Sequence, residues 1–401
     1  MKETRTGRAL RERKGQLNPD ADRLVAGALG LSNSGSRAED AFWEHLLAQR
    51  LDRLLEQEHN QAIFDAAERL QQTDIEAYGA LIEAVENSAE SLVIEQNGQF
   101  WDVLLISIPL VAWTRFRIPS CALSTAQTDK LSSAYRTQLL AKSARLALAP
   151  FLFSVDQLPR DFSDLRQLTR HLGAAALAGQ QYKLDAKELP ETADMLADCR
   201  YIVGAIVTPK GQALFRWQEL DAPAHVSRVS ALEKWIPQAR PLLEALLPGC
   251  GFECLLPDAY HINLRESDRR VRPHAIRAGV SFLTHSVGVD VEKIRASIAG
   301  FGSDRVEEYR IGLIANDGDD VAQGVVWPVF GPESEGDELS PLESIKAVLH
   351  ECGVLDIRVW PTTLDPEFCE DCGAPMFPNN KGDIVHLDIP DEADPSNQRF
   401  H

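Results

Sequence analysis

Apolar residues recur at helical spacing over roughly the first ninety residues of the chain. One such stripe consists of Leu46, Leu47, Leu51, Leu54 and Leu55. Helix start signals accompany it: Asn18 is followed by proline, and Ser36–Glu39 and Thr73–Glu76 have the spacing of capping boxes. The spacing and the start signals together predict a helical domain of four helices over residues 18–90.

From residue 91 the apolar spacing changes to that of strands. Two apolar runs meet at Asn97-Gly98, the strongest short signal for a hairpin, and further hairpins are predicted around Gly211 and Gly318. A helical segment follows each hairpin, over residues 128–141, 229–247 and 341–352. A strand-like run follows each helix, over residues 146–155, 252–264 and 356–360. The first two of these runs lead into further helices near residues 162–177 and 273–287.

This order of elements repeats along the chain. Tyr201–Ile206 aligns with Tyr309–Ile314, and the offset between the two copies stays nearly constant in other matching positions. We therefore predict an α+β protein, in which the helical domain precedes duplicated ferredoxin-like modules of hairpin, helix, strand and helix. The predicted divisions are a basic flexible arm (1–17), a helical domain (18–90), a first α+β region (91–250), a second α+β region (251–365), a zinc-knuckle-like hairpin (366–390) and a disordered tail (391–401).

Composition narrows the class of protein. The chain has 401 residues, of which 44% are hydrophobic and 25% charged, as in soluble globular proteins. Its longest apolar run, Val103–Trp113, is far shorter than the roughly 20 residues of a membrane span. The seven cysteines are an odd number, and the N-terminus lacks the apolar segment of a secretory signal. We therefore expect reduced thiols, a cytoplasmic location and no membrane partner.

Charge narrows the class of partner. The formal net charge is −19, which disfavours nucleic acids and membrane surfaces because the field of the protein repels polyanions. Residues 1–14 nevertheless carry six Lys or Arg and only two Glu. The sequence leaves the partner unknown, and it admits an anionic small molecule or another protein.

The most specific chemical signal is the pair Cys369 and Cys372. A C-x2-C turn aims two thiolates at one tetrahedral ion, and Gly373 suits the turn that follows the second cysteine. The next segment is predicted to fold back as a hairpin and to bring His386 beside the two thiols. With Cys352 as the best fourth candidate, these residues predict a structural zinc site.

Two other interpretations of the cysteines stay open. A redox pair normally opens a helix in a βαβ unit, whereas these cysteines lie between two prolines. They could also be unrelated thiols, because the chain has no second C-x2-C and Cys250 and Cys254 have a looser spacing. His350 is the next candidate for a fourth ligand after Cys352.

A second group of residues that could bind a ligand, made of arginines and histidines, lies at residues 260–277. Its predicted anion-binding residues are Arg265, Arg269, Arg270, Arg272, His274 and Arg277. Arginine forks bind phosphate or carboxylate, and a helix beginning near Pro273 would add its N-terminal amides. In the alternative interpretation, these arginines form ion pairs within the protein, for example with Glu266 and Asp268.

Two functions follow from these patterns. The first is a binding or regulatory protein with a structural zinc site, because no G-x-S-x-G, H-E-x-x-H, P-loop or kinase motif occurs. The second is an enzyme acting on a phosphorylated or carboxylated small molecule. In that enzyme, Arg269, Arg270 and Arg272 would hold the anion, and His261 or His274 would act as acid or base.

Several phrases of the sequence carry a family resemblance. They are "SNSGSRAEDAFWE", "LALAPFLFSVDQLPRDF", "LPGCGFECLLPDAY", "AGFGSDRVEEYRIGL", "GVVWPVFG" and "PEFCEDCGAPMFP". Together they resemble a proteobacterial family of acidic proteins known only as a domain of unknown function. The resemblance runs from about Asp20 to Pro390 and implies a cytoplasmic bacterial protein. It implies no particular fold, substrate or catalytic residue.

Overall fold

The fold is taken from a computed structural model. It describes residues 18–219, 227–303, 305–315, 318–330, 339–370 and 372–387. The predicted basic arm and the predicted disordered tail lie outside the described residues. The chain divides into two compact units. The first takes in the residues up to Leu92 together with Pro159–Arg170, and the second takes in Val93–Leu158 and the residues from His171 onward.

Helices build the first unit. They are α1 (Pro19–Ser32), α2 (Arg37–Glu56), α3 (Asn60–Thr73), α4 (Ile75–Glu90) and the first half of a helix spanning Phe162–Ala178. Leu24, Leu51 and Leu81 are fully buried between them. The four helices thus occupy the stretch in which the apolar spacing predicts them.

The helix starts of this unit agree with the sequence signals except at one position. Asn18 and Ser36 cap α1 and α2 as predicted. The cap of α4 is Asp74 and not Thr73, because the Asp74 carboxylate accepts a hydrogen bond from the Ala77 amide at 3.0 Å. The Thr73 hydroxyl instead donates to a carbonyl of α3 at 2.8 Å, so this residue ends the preceding helix.

From residue 91 onward, strands alternate with helices. In chain order they are β1 (Ser91–Gln96), β2 (Gln99–Trp113), β3 (Cys121–Ala122), α5 (Thr125–Gln138), β4 (Arg145–Leu148), β5 (Phe151–Leu152), α6 (Phe162–Ala178), β6 (Ala197–Pro209), α7 (Arg228–Glu244), β7 (Gly251–Cys254), β8 (Asp258–Ala259), α8 (Tyr260–Phe282), β9 (Ile294–Phe301), β10 (Glu308–Ala315), β11 (Val321–Pro328), α9 (Pro341–Glu351), β12 (Asp356–Val359), β13 (Phe377–Pro378) and β14 (Ile384–Val385).

The first sheet has the strand order β1-β2-β6-β4, and β7 and β8 also pair with β2. Asn97 and Gly98 both have positive φ, at 55° and 74°, as the two-residue hairpin turn between β1 and β2 requires. This hairpin prediction is confirmed. Helices α5 and α7 cover one face of the sheet through buried side chains such as Tyr135 and Trp235.

The second sheet has the strand order β11-β10-β9-β12. Strands β9, β10 and β11 are antiparallel neighbours, which confirms the predicted hairpin around Gly318, and β12 runs parallel to β9. Helices α8 and α9 pack on this sheet through Ile276, Ile345 and Leu349. Because α8 also contacts β2 and β6, it lies between the two sheets.

Two local predictions are wrong. In the described residues that follow Gly211, up to residue 219, no second strand forms; the chain makes a single bridge between Phe215 and Leu140 and then a short 3-10 turn. The strand predicted over 252–264 ends early, since β7 and β8 are short and α8 already begins at Tyr260. The start of α8 carries no signal in the sequence, because its N-cap, Ala259, has no side chain that can cap.

Helix α8 also contradicts the prediction that a helix begins near Pro273. This proline lies inside the helix, where it cannot donate a hydrogen bond to the carbonyl of Arg269. The side chain of Arg272 supplies the missing donor, with its Nε 3.3 Å from that carbonyl oxygen. The helix therefore continues through the proline, and Pro273 offers no helix N-terminus to an anion.

The mixture of helices and sheets confirms the α+β class, but the ferredoxin-like duplication is not confirmed. Strand β7, which follows α7, runs antiparallel to its neighbour β2. Strand β12, which follows α9, runs parallel to its neighbour β9. The two sheets thus differ in strand direction at the positions that the repeat would make equivalent.

Candidate metal centre

The turn that carries Cys369 and Cys372 is closed by backbone hydrogen bonds. The Gly373 amide donates to the Cys369 carbonyl, and the Cys369 amide donates to the Ala374 carbonyl, both at 2.8 Å. Gly373 has a φ of +72°, a conformation that a residue with a side chain rarely adopts. This tight reversal is the geometry by which a C-x2-C pair directs both thiols to one side.

His386 reaches the thiols by the predicted hairpin. Strands β13 and β14 pair in antiparallel fashion and return the chain to the cysteines. One ligand atom each from Cys369, Cys372 and His386 lies within 4.8 Å of the other two. The Cys372 Sγ and the His386 Nε2 are 3.3 Å apart. Tetrahedral zinc, with bonds of about 2.3 Å to sulfur and about 2.0 Å to nitrogen, separates two such atoms by about 3.5 Å.

A hydrogen bond fixes the orientation of the imidazole. The His386 Nδ1 lies 2.8 Å from the Leu387 carbonyl oxygen. That oxygen can only accept, so Nδ1 carries the proton and the lone pair of Nε2 faces the thiols. Histidines that bind metals are commonly held in this way through their second nitrogen. The donor set and its orientation therefore fit zinc.

Arg310 fastens this metal hairpin, residues 366–387, to the second sheet. Its side chain is fully buried on β10 and donates to the carbonyls of Glu367 and Met376, at 2.5 and 2.9 Å. These two residues flank the cysteine turn, so a single guanidinium holds both ends of the loop. The same guanidinium lies between the rings of Phe301 and Phe368, 4.4 and 4.9 Å from their centroids.

Two glycines let the metal hairpin contact the sheet directly. Gly312 and Gly324 are paired across β10 and β11. A Cβ on Gly312 would lie 2.4 Å from the Pro378 carbonyl oxygen, and one on Gly324 would lie 2.4 Å from the Phe377 ring. Glycine inside a strand thus marks close approach of another backbone here. Gly204 is the predicted counterpart of Gly312 in the first sheet. A Cβ on Gly204 would instead lie 2.7 Å from the Ala147 carbonyl oxygen.

The predicted fourth ligand is not part of the converging group. Cys352 caps the C-terminal end of α9 and packs against the core of the second sheet. Burial raises the pKa of its thiol, which the nearby Arg277 opposes. His350, the other candidate, lies in the last turn of the same helix and is likewise not part of the group. Asp388 follows His386 by two residues and lies outside the described residues.

The predicted anion-binding residues all lie on α8, which directs them to different neighbours. Arg272 is buried, donates to the Pro328 carbonyl at 2.6 Å and lies 4.9 Å from the Trp327 ring. Arg269 lies on the same side of the helix, 5.8 Å from the Phe330 ring.

The other predicted residues of α8 have different partners. Arg270 pairs with Glu266 at 2.8 Å, and Arg277 pairs with Glu351 at 2.8 Å. His274 stacks on Trp113 at 4.0 Å between ring centroids. Burial and the charge of Arg277 lower the pKa of His274. The six residues therefore do not form one group, although Arg265, Arg269 and Arg270 line a common cleft.

The sequence does not predict that two carboxyls, one on α8 and one on β6, lie close together, and it names Asp268 only as a possible partner of the arginines. Asp268 faces Asp198 of β6, and burial together with the charge of Asp198 raises the pKa of Asp268 to about 6, against the opposing charge of Arg272. Burial likewise raises the pKa of Asp198, which is ion-paired with the buried Arg200. Nothing in the local sequence pattern marks these residues, because β6 and α8 are brought together only by the tertiary fold.

The comparisons with known proteins define the family. The chain belongs to the family described as protein of unknown function (DUF2863), whose family model matches residues 9–400. Comparison of the chain with curated proteins and with solved structures finds no match to either. Among the helices that the structure describes, none is both long and apolar enough to cross a membrane.

Proposed function

We propose that the protein is a zinc-dependent binding or regulatory protein of the bacterial cytoplasm. Cys369, Cys372 and His386 would hold the metal. The observation that carries the proposal is their convergence, with Nε2 of the imidazole turned toward the thiols. The fourth ligand would be a protein group outside the described residues, such as Asp388.

The proposed role of the metal is structural. Zinc would join the cysteine turn to the returning strand, so that the metal-binding energy stabilises the hairpin on the second sheet. The two clefts described for this chain, one between α7 and α8 and one beside Trp113 and His274, contain none of the three ligands in their linings. A catalytic zinc needs a substrate next to an open coordination position. The placement of the ligands thus supports a structural role more than a catalytic one.

Metal content and cobalt substitution test this proposal. We expect about one zinc ion per chain in the purified protein, and a cobalt-substituted form that shows thiolate-to-cobalt charge-transfer absorption. Cys372→Ser and His386→Asn should reduce the bound metal at least tenfold. Cys250→Ser is the matched control, because Cys250 is a half-buried thiol outside the metal hairpin.

The results separate the alternatives. Protein that contains no zinc and gives no cobalt–thiolate absorption would disprove the metal site. Full metal content in Cys372→Ser would place the metal elsewhere. Loss of metal in Cys352→Ser with an intact fold would restore Cys352 as the fourth ligand.

A further inference from the structure

A cleft of 620 Å³ lies between α7 and the first half of α8, with the segment around β7 as its floor. Helix α7 contributes Arg228, Leu232, Ile236 and Arg240, which are spaced by four residues and therefore share one face. At a rise of 1.5 Å per residue, this face is about 18 Å long. A cleft of this volume falls within the range typical of small-molecule sites.

The charge of the cleft is opposite to that of the protein. Its arginines are Arg228 and Arg240 from α7 and Arg265, Arg269 and Arg270 from α8. Its acidic residues are Glu253, Asp258 and Glu266. The lining thus has more positive than negative groups in a chain whose formal net charge is −19. This local excess of positive charge attracts anions to the cleft, although the net negative charge of the protein repels them elsewhere.

The acidic residues position the arginines without using all of their donors. Arg270 is 2.8 Å from Glu266 and 3.7 Å from Glu253, and Arg228 is paired with Asp258. A guanidinium has five N–H donors in a planar fork, so an arginine held by a carboxylate can still bind a second anion. The pairs of Arg270 with Glu266 and Glu253 are partly exposed, so an incoming anion can compete with them at low cost.

The middle of the cleft is apolar. Leu232 and Ile236 are half-buried on α7, and Ile262 of α8 is 51% exposed. Phe252 forms part of the floor beneath Arg240, whose guanidinium lies 5.3 Å from the ring centroid. An apolar group placed over these side chains would remove their surface from water, which favours binding.

We propose that this cleft binds an amphiphilic anion, with a carboxylate or phosphate group held by the arginines and an apolar body over Leu232, Ile236 and Ile262. Arginine forks match both head groups in geometry. The proposal takes three of the arginines that the sequence singled out and adds two from α7. It does not depend on zinc, because no metal ligand lines the cleft.

Isothermal titration calorimetry with octanoate and octyl phosphate tests the proposal and separates the two head groups. We expect one molecule of at least one of them to bind per chain, at least tenfold more tightly than octanol, acetate or inorganic phosphate. The double variant Arg240→Gln/Arg269→Gln should weaken binding at least tenfold. Ile236→Ser should weaken it about threefold, because only part of the apolar contact is lost.

Two controls keep the result specific. Arg277→Gln removes an arginine from the same helix that does not line this cleft, and its binding should stay within twofold of the wild type. Cys372→Ser should also bind normally, so that failure of the zinc proposal is distinguishable from failure of this one. Circular dichroism confirms that each variant is folded.

Three outcomes would overturn the proposal. The first is the absence of saturable binding for both octanoate and octyl phosphate. The second is equal affinity for octanol, which would show an apolar groove without anion recognition. The third is a failure of the arginine variants to discriminate. Unchanged binding in folded Arg240→Gln/Arg269→Gln would place the anion outside this cleft, and equal weakening in Arg277→Gln would indicate general electrostatic attraction.

Discussion

The metal hairpin and helix α8 carry comparably dense clusters of chemically active residues. The hairpin brings Cys369, Cys372 and His386 to one point, whereas α8 brings only three of its six predicted residues to a common cleft. Cys369, Cys372 and His386 converge within 4.8 Å. The predicted anion-binding residues of α8 contact Pro328, Phe330, Glu266, Glu351 and Trp113, among other neighbours. The difference lies in the backbone. A turn and a hairpin reverse the chain, whereas a straight helix distributes neighbouring residues around its axis.

Convergence in the hairpin also depends on distant residues. Arg310 and the paired glycines of β10 and β11 lie more than forty residues before the cysteines, and they hold the loop in place. In α8, by contrast, Pro273 cannot donate to the Arg269 carbonyl, and a residue of the same helix, Arg272, donates to it instead. The hairpin should therefore be sensitive to changes in the sheet, and α8 should tolerate changes at its proline.

The largest effect is expected from Arg310→Met. This change removes the donor to two loop carbonyls and leaves the Glu308 carboxylate without its 2.6 Å partner. Hydrogen bonds to a charged group contribute about 1.5–3 kcal/mol each, so the loss of these three should cost at least about 3 kcal/mol. Urea denaturation should show that loss, and the zinc content should fall with it.

The matched control is Arg358→Met in β12. Arg358 also donates to a carbonyl of the metal hairpin, that of Asn380, and stacks on Trp360, but its hydrogen bond is exposed to solvent. We expect it to cost less than about 1 kcal/mol. Equal losses in the two variants would show that Arg310 is not a special anchor.

Gly324→Ala is expected to have the next largest effect. The added methyl group would meet the Phe377 ring at 2.4 Å, so the hairpin must shift away from the sheet. Overpacking of this kind typically costs about 1–3 kcal/mol. Thermal unfolding measures the loss. Gly79→Ala in α4 is the control, because its Cβ meets nothing within 4 Å and alanine favours the helix. A neutral Gly324→Ala would mean that the hairpin is only loosely packed.

Local order was readable from the sequence, and long-range contacts were not. Asn97-Gly98, the C-x2-C turn and the return of His386 depend on residues close in the chain, and each was predicted. Gly312 lies in the segment that aligns with Tyr201–Ile206. The reason for a glycine there is that Pro378, more than sixty residues later in the chain, packs directly against it. The start of α8 was missed because Ala259 gives no capping signal. Arg310 could not be recognised, since its importance comes from the carbonyls that surround it.

Asp268→Asn tests the buried pair of carboxyls beneath α8. The pKa of Asp268 is raised in the folded protein from 3.8 to about 6, so the folded state binds more protons than the unfolded state in that window. The contribution of Asp268 to the free energy of unfolding is therefore fully present below pH 3.8 and is lost as the pH rises to about 6. Asparagine does not titrate, so the variant does not lose stability in this pH range. One pKa unit corresponds to about 1.36 kcal/mol, so the variant should gain up to about 3 kcal/mol relative to the wild type between acid and neutral pH.

Urea titrations across pH 3.5–8 measure the Asp268 effect, with Asp290→Asn as a control of opposite sign. Lys293 lowers the pKa of the exposed Asp290, so removal of this carboxylate should not stabilise the protein at neutral pH. Asp268→Asn could also act through Asp198, Arg272, Cys199 and Tyr201, which interact electrostatically with it. A pH-independent difference between Asp268→Asn and the wild type would contradict the assignment.

The smallest effect is expected from Pro273→Ala. Proline inside a helix usually costs about 3 kcal/mol relative to alanine, because it removes a donor and strains the preceding turn. Here the Nε of Arg272 already donates to the Arg269 carbonyl, so the variant should gain only about 1 kcal/mol.

Arg272→Lys, which lacks the planar fork, should make the gain from Pro273→Ala larger when the two changes are combined. Thermal unfolding of both single variants and the double variant measures this coupling. Strictly additive effects would mean that Arg272 does not compensate for the proline. Destabilisation by Pro273→Ala alone would mean that the proline ring makes packing contacts that alanine does not replace.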